Sequence, residues 1–259
     1  MKRKKVSKVR EPLHKLNKII ILFITIELFF LTFYGLKFYG KKTPEVSQCL
    51  QEGRRYSIDE AIVNPQVCDV EISTDADFAK LALASENLGN VQTLYFRKTP
   101  NTEIPAEIGN LKNLTSINFH HSIKTSLPPD IGKLKSLKVL SMNKADIKNI
   151  PKEIGDLHSL ENLTLNNNFA KVVMPPEIAK LRNLKVMAIT DTIRVDLPAE
   201  LSEIKSLEEL YLNGSGLSTI PEPIYQLKNL KILNISDNEI NPADVEKIRL
   251  SLPNTTVVF

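Results

Sequence analysis

The sequence predicts an α/β solenoid, a stack of coils that each contribute one strand to a parallel sheet. Three observations lead there. Apolar residues return at a fixed interval, at Val91, Leu114, Leu137, Leu160, Leu184, Leu207 and Leu230, with five spacings of 23 and one of 24. A period of about 20–50 residues means stacked repeats and outranks any local helix or strand signal. Each repeat then carries an LxL core, as in Leu94/Phe96, Ile117/Phe119, Leu140/Met142 and Leu163/Leu165, continuing to Leu233/Ile235. Its period of two puts both apolar side chains on one face of a strand. Finally, an apolar-Pro pair follows, at Pro105, Pro128, Pro151, Pro175, Pro198 and Pro221. Proline has no N–H, so the strand cannot continue. The Ile/Leu-x-x-Leu/Ile after it, as in Ile131/Leu134, suits one short helical turn facing the strand.

A single repeat cannot stand alone. It buries about seven apolar side chains, worth roughly 10–20 kcal/mol gross. Ordering its residues costs about 1–2 kcal/mol each, which matches or exceeds that gain. Stability must come from stacking on neighbours.

The outline LxxLxLxxN, an apolar-Pro pair and IxxLxxL resembles the leucine-rich repeat family over residues 67–259. The resemblance implies a curved horseshoe with the parallel sheet on its concave face, and a function in binding protein partners. It also implies that the Asn of each repeat bonds to backbone groups of the turn. Here that Asn survives as Asn168 and Asn238, while Thr99, Ser122, Thr192 and Ser215 offer one hydroxyl each and Ala145 none. The next apolar position holds Asn101, Lys124, Ala170 and Arg194, where looser turns are expected.

Residues 1–18 form a basic tail, expected to be cytoplasmic. Ile19 to Leu36 follows as eighteen mostly apolar residues, about 27 Å of helix against a hydrocarbon core of about 30 Å. Glu27 costs about 2.5–3.5 kcal/mol at its middle, and about a dozen Ile, Leu and Phe residues outweigh it. We read residues 19–36 as one transmembrane signal-anchor helix preceding the solenoid. A cleaved signal peptide would need small residues of the A-x-A kind, and none lies between Leu36 and Gln51. Eight basic residues before the span and three close behind it place the N-terminus in the cytoplasm and the repeats outside it. The chain is thus expected to be a single-pass membrane protein.

Residues 37–56 read as a linker and 57–259 as the repeat domain with its caps. Ser57-Ile58-Asp59-Glu60 has capping-box form and starts a short helix that stops before Asn64-Pro65. This run is similar to the start of some bacterial leucine-rich repeat proteins. Val67, Val70 and Ile72 give a first, degenerate strand, and Thr74 caps a helix with Phe78 and Leu81 inward. Asn241-Pro242 opens a last helix, and Thr255–Phe259 reads as a last strand. In an oxidising compartment Cys49 and Cys68 are candidates for a disulfide.

Residues 1–42 carry a net charge of +9 and the remainder −5, so the basic pI belongs to the tail and does not argue for nucleic acid. No Gly-rich phosphate loop and no G-x-S-x-G occurs, and no catalytic residue or cofactor is expected. His120 and His121 are adjacent, so on a strand they face opposite ways, and no metal site is expected. Three classes of function remain: a tethered protein-binding module, a cell-envelope component that binds glycan, and an enzyme, in decreasing order of support. For the first, the residues after each LxL line one edge of the sheet. They run from Arg97-Lys98 and His120-His121 through Asn143-Lys144 and Asn166-Asn167 to Asp191 and Asp237. The series passes from basic through neutral amides to acidic, within a screening length of about 8 Å between neighbours. An acidic partner segment is expected on its N-terminal half, with Tyr95 as an aromatic contact, and with binding that weakens from pH 6 to pH 8.

Overall fold

The computed structural model describes residues 49–50, 54–99, 103–121, 126–145, 147, 150–167 and 171–259. The basic tail, the span 19–36 and most of the expected linker lie outside the described residues, as do Asn101, Ser122, Lys124, Asn168 and Ala170. Among the described residues no helix is long and apolar enough to cross a membrane.

The described residues start inside the segment expected as linker. Cys49 is disulfide-bonded to Cys68. Leu50 donates its N–H to Gln66 O at 3.0 Å and packs on the core. Tyr56–Ser57 is a two-residue strand, β1, in register with Val70 and Glu71. Two residues carry no periodicity, so composition alone cannot separate such a strand from a linker. Helix α1 (Ile58–Val63) follows, with Ser57 and Glu60 forming the reciprocal capping box. Strand β2 (Asp69–Ile72) leads to α2 (Asp75–Ala84), capped the same way by Thr74 and Asp77. A 3-10 turn over Ser85–Leu88 closes the cap.

From there each coil repeats one plan. The strands are β3 (Thr93–Arg97), β4 (Ser116–His120), β5 (Val139–Asn143), β6 (Asn162–Thr164), β8 (Val186–Ala188), β10 (Glu209–Tyr211) and β11 (Ile232–Asn234). With β1 and β2 before them and β12 (Thr256–Val258) after, they make one ten-stranded sheet, every neighbouring pair parallel. A second, two-stranded parallel sheet pairs β7 (Lys171–Val173) with β9 (Arg194–Asp196). Arg194, at a position where a looser turn was expected, is thus in a strand, because Val195 and Val172 are buried beneath it. Helix α3 (Pro242–Ser251), capped by Asn241, precedes β12.

The helical turn of each coil is a 3-10 segment of five residues, such as Ala106–Asn110, Pro129–Lys133 and Lys152–Asp156. Each of the six prolines stands at its N-cap. The following Leu or Ile leaves helical space, as Leu111 does at φ −79°, ψ 69°, so the turn stops before it can become an α-helix. The core lies between this column and the sheet. Leu94, Ile108, Leu111, Leu114 and Ile117 are all fully buried. Phe78, Phe96 and Phe119 stack through its N-terminal half, the last two 4.4 Å apart.

Three features lock coil to coil. The first is tight helix contact. A Cβ on Gly109, Gly132 or Gly155 would lie 2.7, 2.7 or 2.3 Å from the carbonyl oxygen of Asp130, Glu153 or Glu177 in the next coil. The second is Asn238. Its Oδ1 accepts from Ser215 N at 2.9 Å and Leu217 N at 3.0 Å, and its Nδ2 donates to Leu212 O at 2.8 Å and Ile235 O at 2.9 Å. The third is a row of alternating charge just before the strands: Lys138, Glu161, Lys185, Glu208 and Lys231. Lys185 bonds Glu161 at 2.9 Å and Lys231 bonds Glu208 at 2.6 Å. The Lys185 ammonium holds the Glu161 carboxyl below its usual pKa, and that carboxylate in turn raises the pKa of Lys185.

Candidate functional site

The outward positions of the strands form the broad face on which the expected partner residues sit. Register places Arg97 beside His120 and His120 beside Asn143. One to three residues past seven of these strands comes a residue of left-handed backbone: Lys98 (φ 50°), His121 (57°), Lys144 (54°), Asn167 (54°), Asp191 (51°), Gly214 (59°) and Asp237 (56°). The turn keeps the inter-strand ladder going, since Lys98 N donates to His120 O, Lys144 N to Asn166 O and Asn167 N to Thr190 O. The left-handed region costs an L-residue about 1–2 kcal/mol, and only Gly214 in this column avoids it. This turn was not legible from residue type.

It also corrects the histidines. His120 is the last residue of β4 and His121 turns out of the strand, so the two rings meet edge to face, 4.3 Å between centroids, rather than facing opposite ways. Desolvation of the His121 ring, with the charges of His120, Lys144, Lys98 and Arg97 around it, holds its pKa below the ordinary histidine value. Among the described residues no group of three or more His, Cys, Asp and Glu is placed to hold a metal ion.

A depression of about 340 Å³ opens on β3–β5, lined by Arg55, Tyr95, Arg97, Asn118, His120 and Asn143, with Phe96 and Phe119 also at its walls. Arg55, in the expected linker, is a site residue that sequence reasoning passed over. Only the pairing of β1 with β2 brings it here. Its guanidinium lies 4.1 Å over the Tyr95 ring, so the Tyr95 side chain holds an arginine in place. Glu71 reaches both Arg55, at 3.5 Å, and Arg97, at 3.9 Å. On the same face Asn143 Nδ2 donates to Ser141 Oγ at 3.0 Å. Among the described residues, Asn143 Oδ1 and Asn166 Oδ1 are buried oxygens with no hydrogen-bond partner.

The C-terminal half of this face differs. Asp191 accepts from Asn167 Nδ2 at 3.1 Å, and Tyr211 Oη donates to Glu209 at 2.8 Å. Asp196, in β9, pairs with Lys171 and Arg194, which lower its pKa.

Residues 130–254 match a family model described as a leucine-rich repeat region. No curated protein matches the sequence. Among solved structures, an internalin from Listeria monocytogenes is 18% identical with a TM-score of 0.61, over 78% of this chain and 64% of that one. The structure of the TLR13–ssRNA13 complex is 19% identical with a TM-score of 0.63, over 78% of this chain and 32% of that one. PEPR1 in complex with AtPEP1 is 19% identical with a TM-score of 0.55, over 74% of this chain and 28% of that one. At these identities the likeness is one of fold.

Proposed function

Given that the chain is a leucine-rich repeat protein, we propose that it is a membrane-anchored interaction module. Its strand face, the concave side of the horseshoe, binds a protein partner through an acidic segment of that partner. The observation that carries this reading is the basic depression on β3–β5, where Arg55, Arg97 and His120 converge and Lys98, His121 and Lys144 border them. The repeat region is otherwise acidic, with residues 43–259 at −5, so a positive field confined to one end steers an anionic segment there. A glycan-binding role is less well supported, because the aromatic ring at the depression, Tyr95, is stacked against Arg55.

The residues 19–36 anchor the chain in this proposal, with residues 1–18 in the cytoplasm and the repeats outside. Protease added to intact cells or spheroplasts then digests residues 43–259, and protection of that region overturns the orientation. For binding, the double variant Arg97→Glu, Lys98→Glu associates with the partner at least about tenfold more slowly at low salt. Charge reversal at Asp191 and Asp237 does not slow it. An unchanged rate in the first variant removes this site from consideration.

A further inference from the structure

We infer that the edge of the sheet where the strands begin is a basic flank that lies on an anionic lipid surface. The flank stands the repeats upright, with the partner site turned away from the lipid. The inference rests on the anchoring by residues 19–36 proposed above and adds how the repeats meet the membrane.

Two columns of side chains border the buried Leu that opens each repeat. Two positions before that Leu stand Lys112, Lys135, His158, Arg182, Lys205 and Lys228, one per coil over six consecutive coils. One position after it stand Lys138, Glu161, Lys185, Glu208 and Lys231. The backbone ladder runs through the second column. Glu161 N donates to Lys138 O, Lys185 N to Glu161 O, Glu208 N to Lys185 O and Lys231 N to Glu208 O, at 2.7–2.9 Å. That pairing sets its members at the strand spacing of about 4.8 Å. Side-chain amides beside the first column tie coil to coil. Asn113, Asn183 and Asn229 donate to the carbonyls of Gly89, His158 and Lys205, each at 2.7 Å.

All eight Lys and Arg of these columns are exposed, and their two carboxylates, Glu161 and Glu208, are half-buried. With His158 neutral the flank carries +6, although residues 43–259 together carry −5. Lys112, Lys135, Lys205 and Lys228 donate to backbone carbonyls, of Gly109, Asp156, Ser202 and Ser251, and these bonds leave their charge uncompensated. Acids of the same coils gather on the 3-10 turns instead, at Glu107, Asp130, Glu153, Glu177 and Glu200. Charge is therefore sorted by side. A negative surface attracts the flank and repels the turn column, which sets the way the domain faces it.

Six coils make a line about 24 Å long, which suits an extended array of headgroups and not a single ion. Residues 37–48, between the span and Cys49, reach at most about 40 Å when fully extended, so the anchor keeps the repeats near lipid. Basic groups are drawn to an anionic leaflet within a screening length of about 8 Å. Strands β3, β4 and β5 start at the flank and run five residues each, about 16 Å, to Arg97, His120 and Asn143. The partner site thus stands about two screening lengths from the lipid, where headgroups do not neutralise it.

The test places the full chain in nanodiscs of phosphatidylcholine, alone or mixed equally with phosphatidylglycerol, each with a trace of lipid bearing a headgroup gadolinium chelate. Relaxation of backbone amides reads their distance from the headgroups. In mixed discs at physiological salt the amides of Lys135, Arg182 and Lys205 should relax at least about fivefold faster than those of Lys98 and Lys144. The difference should vanish in phosphatidylcholine discs, and in about 1 M salt, where screening acts within about 3 Å. The triple variant Lys135→Gln, Arg182→Gln, Lys205→Gln should lose it while the buried strand amides keep their wild-type shifts. Even relaxation at both ends of the strands in mixed discs, with the chain still held by the discs, overturns this inference and leaves the anchor standing. A difference that persists in phosphatidylcholine discs overturns the role of anionic headgroups. If soluble inorganic polyphosphate shifts the flank amides and mixed discs do not, the flank takes a soluble polyanion and the lipid assignment falls. A chain that leaves the discs in about 1 M salt overturns the anchoring reading and this inference with it.

Discussion

Replacing Asn238 by Ala should cost more stability than any other single polar change in the repeats. Its oxygen accepts from the N–H groups of Ser215 and Leu217, and its two amide hydrogens are shared among the carbonyls of Leu212, Ile235 and Ser236. These groups belong to two successive coils, so the side chain closes one turn onto the next. At about 0.5–1.5 kcal/mol net per hydrogen bond the sum is roughly 2–6 kcal/mol. The site is half-buried, and water replaces some of the lost partners, so the lower half of that range is expected. Asn238→Asp should be no milder, since it keeps the acceptors but sets a negative charge against three carbonyls. The comparison variant is Thr192→Val. Thr192 occupies the same position in another repeat, is buried, and its hydroxyl makes no hydrogen bond among the described residues. Removing that hydroxyl should cost less than about 0.5 kcal/mol or stabilise slightly. Urea unfolding gives the energies, and hydrogen exchange gives their location. Coils contact only their neighbours, so faster exchange in Asn238→Ala should centre on the Ser215 and Leu217 amides and spare that of Lys98. A loss below about 0.5 kcal/mol, or exchange that rises evenly along the array, would refute the reasoning.

Other outcomes follow from the same contacts. Gly132→Ala should lower stability by about 1–3 kcal/mol in urea titrations, because its Cβ meets Glu153 O at 2.7 Å. The fold disfavours the charged form of His121, so its contribution is intact above the unfolded value of about 6.5 and is lost as pH falls through that value towards the lower folded pKa. His121→Asn, which keeps a residue type tolerant of φ 57°, should flatten the loss of stability between pH 7 and pH 5. The same shift moves the charging of His121 to lower pH than an ordinary histidine, so acidic-ligand affinity should go on rising below pH 6, read by titration in a pH series. Reducing the Cys49–Cys68 bond opens a loop of 19 residues and should cost about 3 kcal/mol in the chain-entropy model, with the loss confined to the N-terminal cap in hydrogen exchange.

The repeats were legible because each demand on the chain is local and repeated. LxL must face inward, Pro must end the strand, and Ile108 with Leu111 must cover the core, so the pattern shows itself several times over. The capping box at Ser57 and the cap at Thr74 were legible for a similar reason, since a short local run suffices to make them. What escaped was set by context. β1 exists because Val70 and Glu71 offer an edge, and Arg55 reaches the depression only through that pairing. The left-handed turn is imposed by stacking on residues as different as Lys98, His121 and Asp191, so no residue type announces it. The 3-10 form of the helical turn follows from where the next Leu must point, which spacing alone does not fix.

The row Lys138, Glu161, Lys185, Glu208 and Lys231 has a parity. Glu161, Lys185 and Glu208 each meet the opposite sign on either side, so the row distinguishes odd from even coils even though the apolar framework does not. Excising one whole coil from the middle would splice the solenoid without harm to the core, yet it would set Glu against Glu or Lys against Lys. Excising two restores the alternation. Exposed pairs of this kind are worth at most about 1 kcal/mol each, too little to forbid an odd deletion but enough to bias which lengths are stable. Such a chain would grow or shrink more readily by two coils than by one.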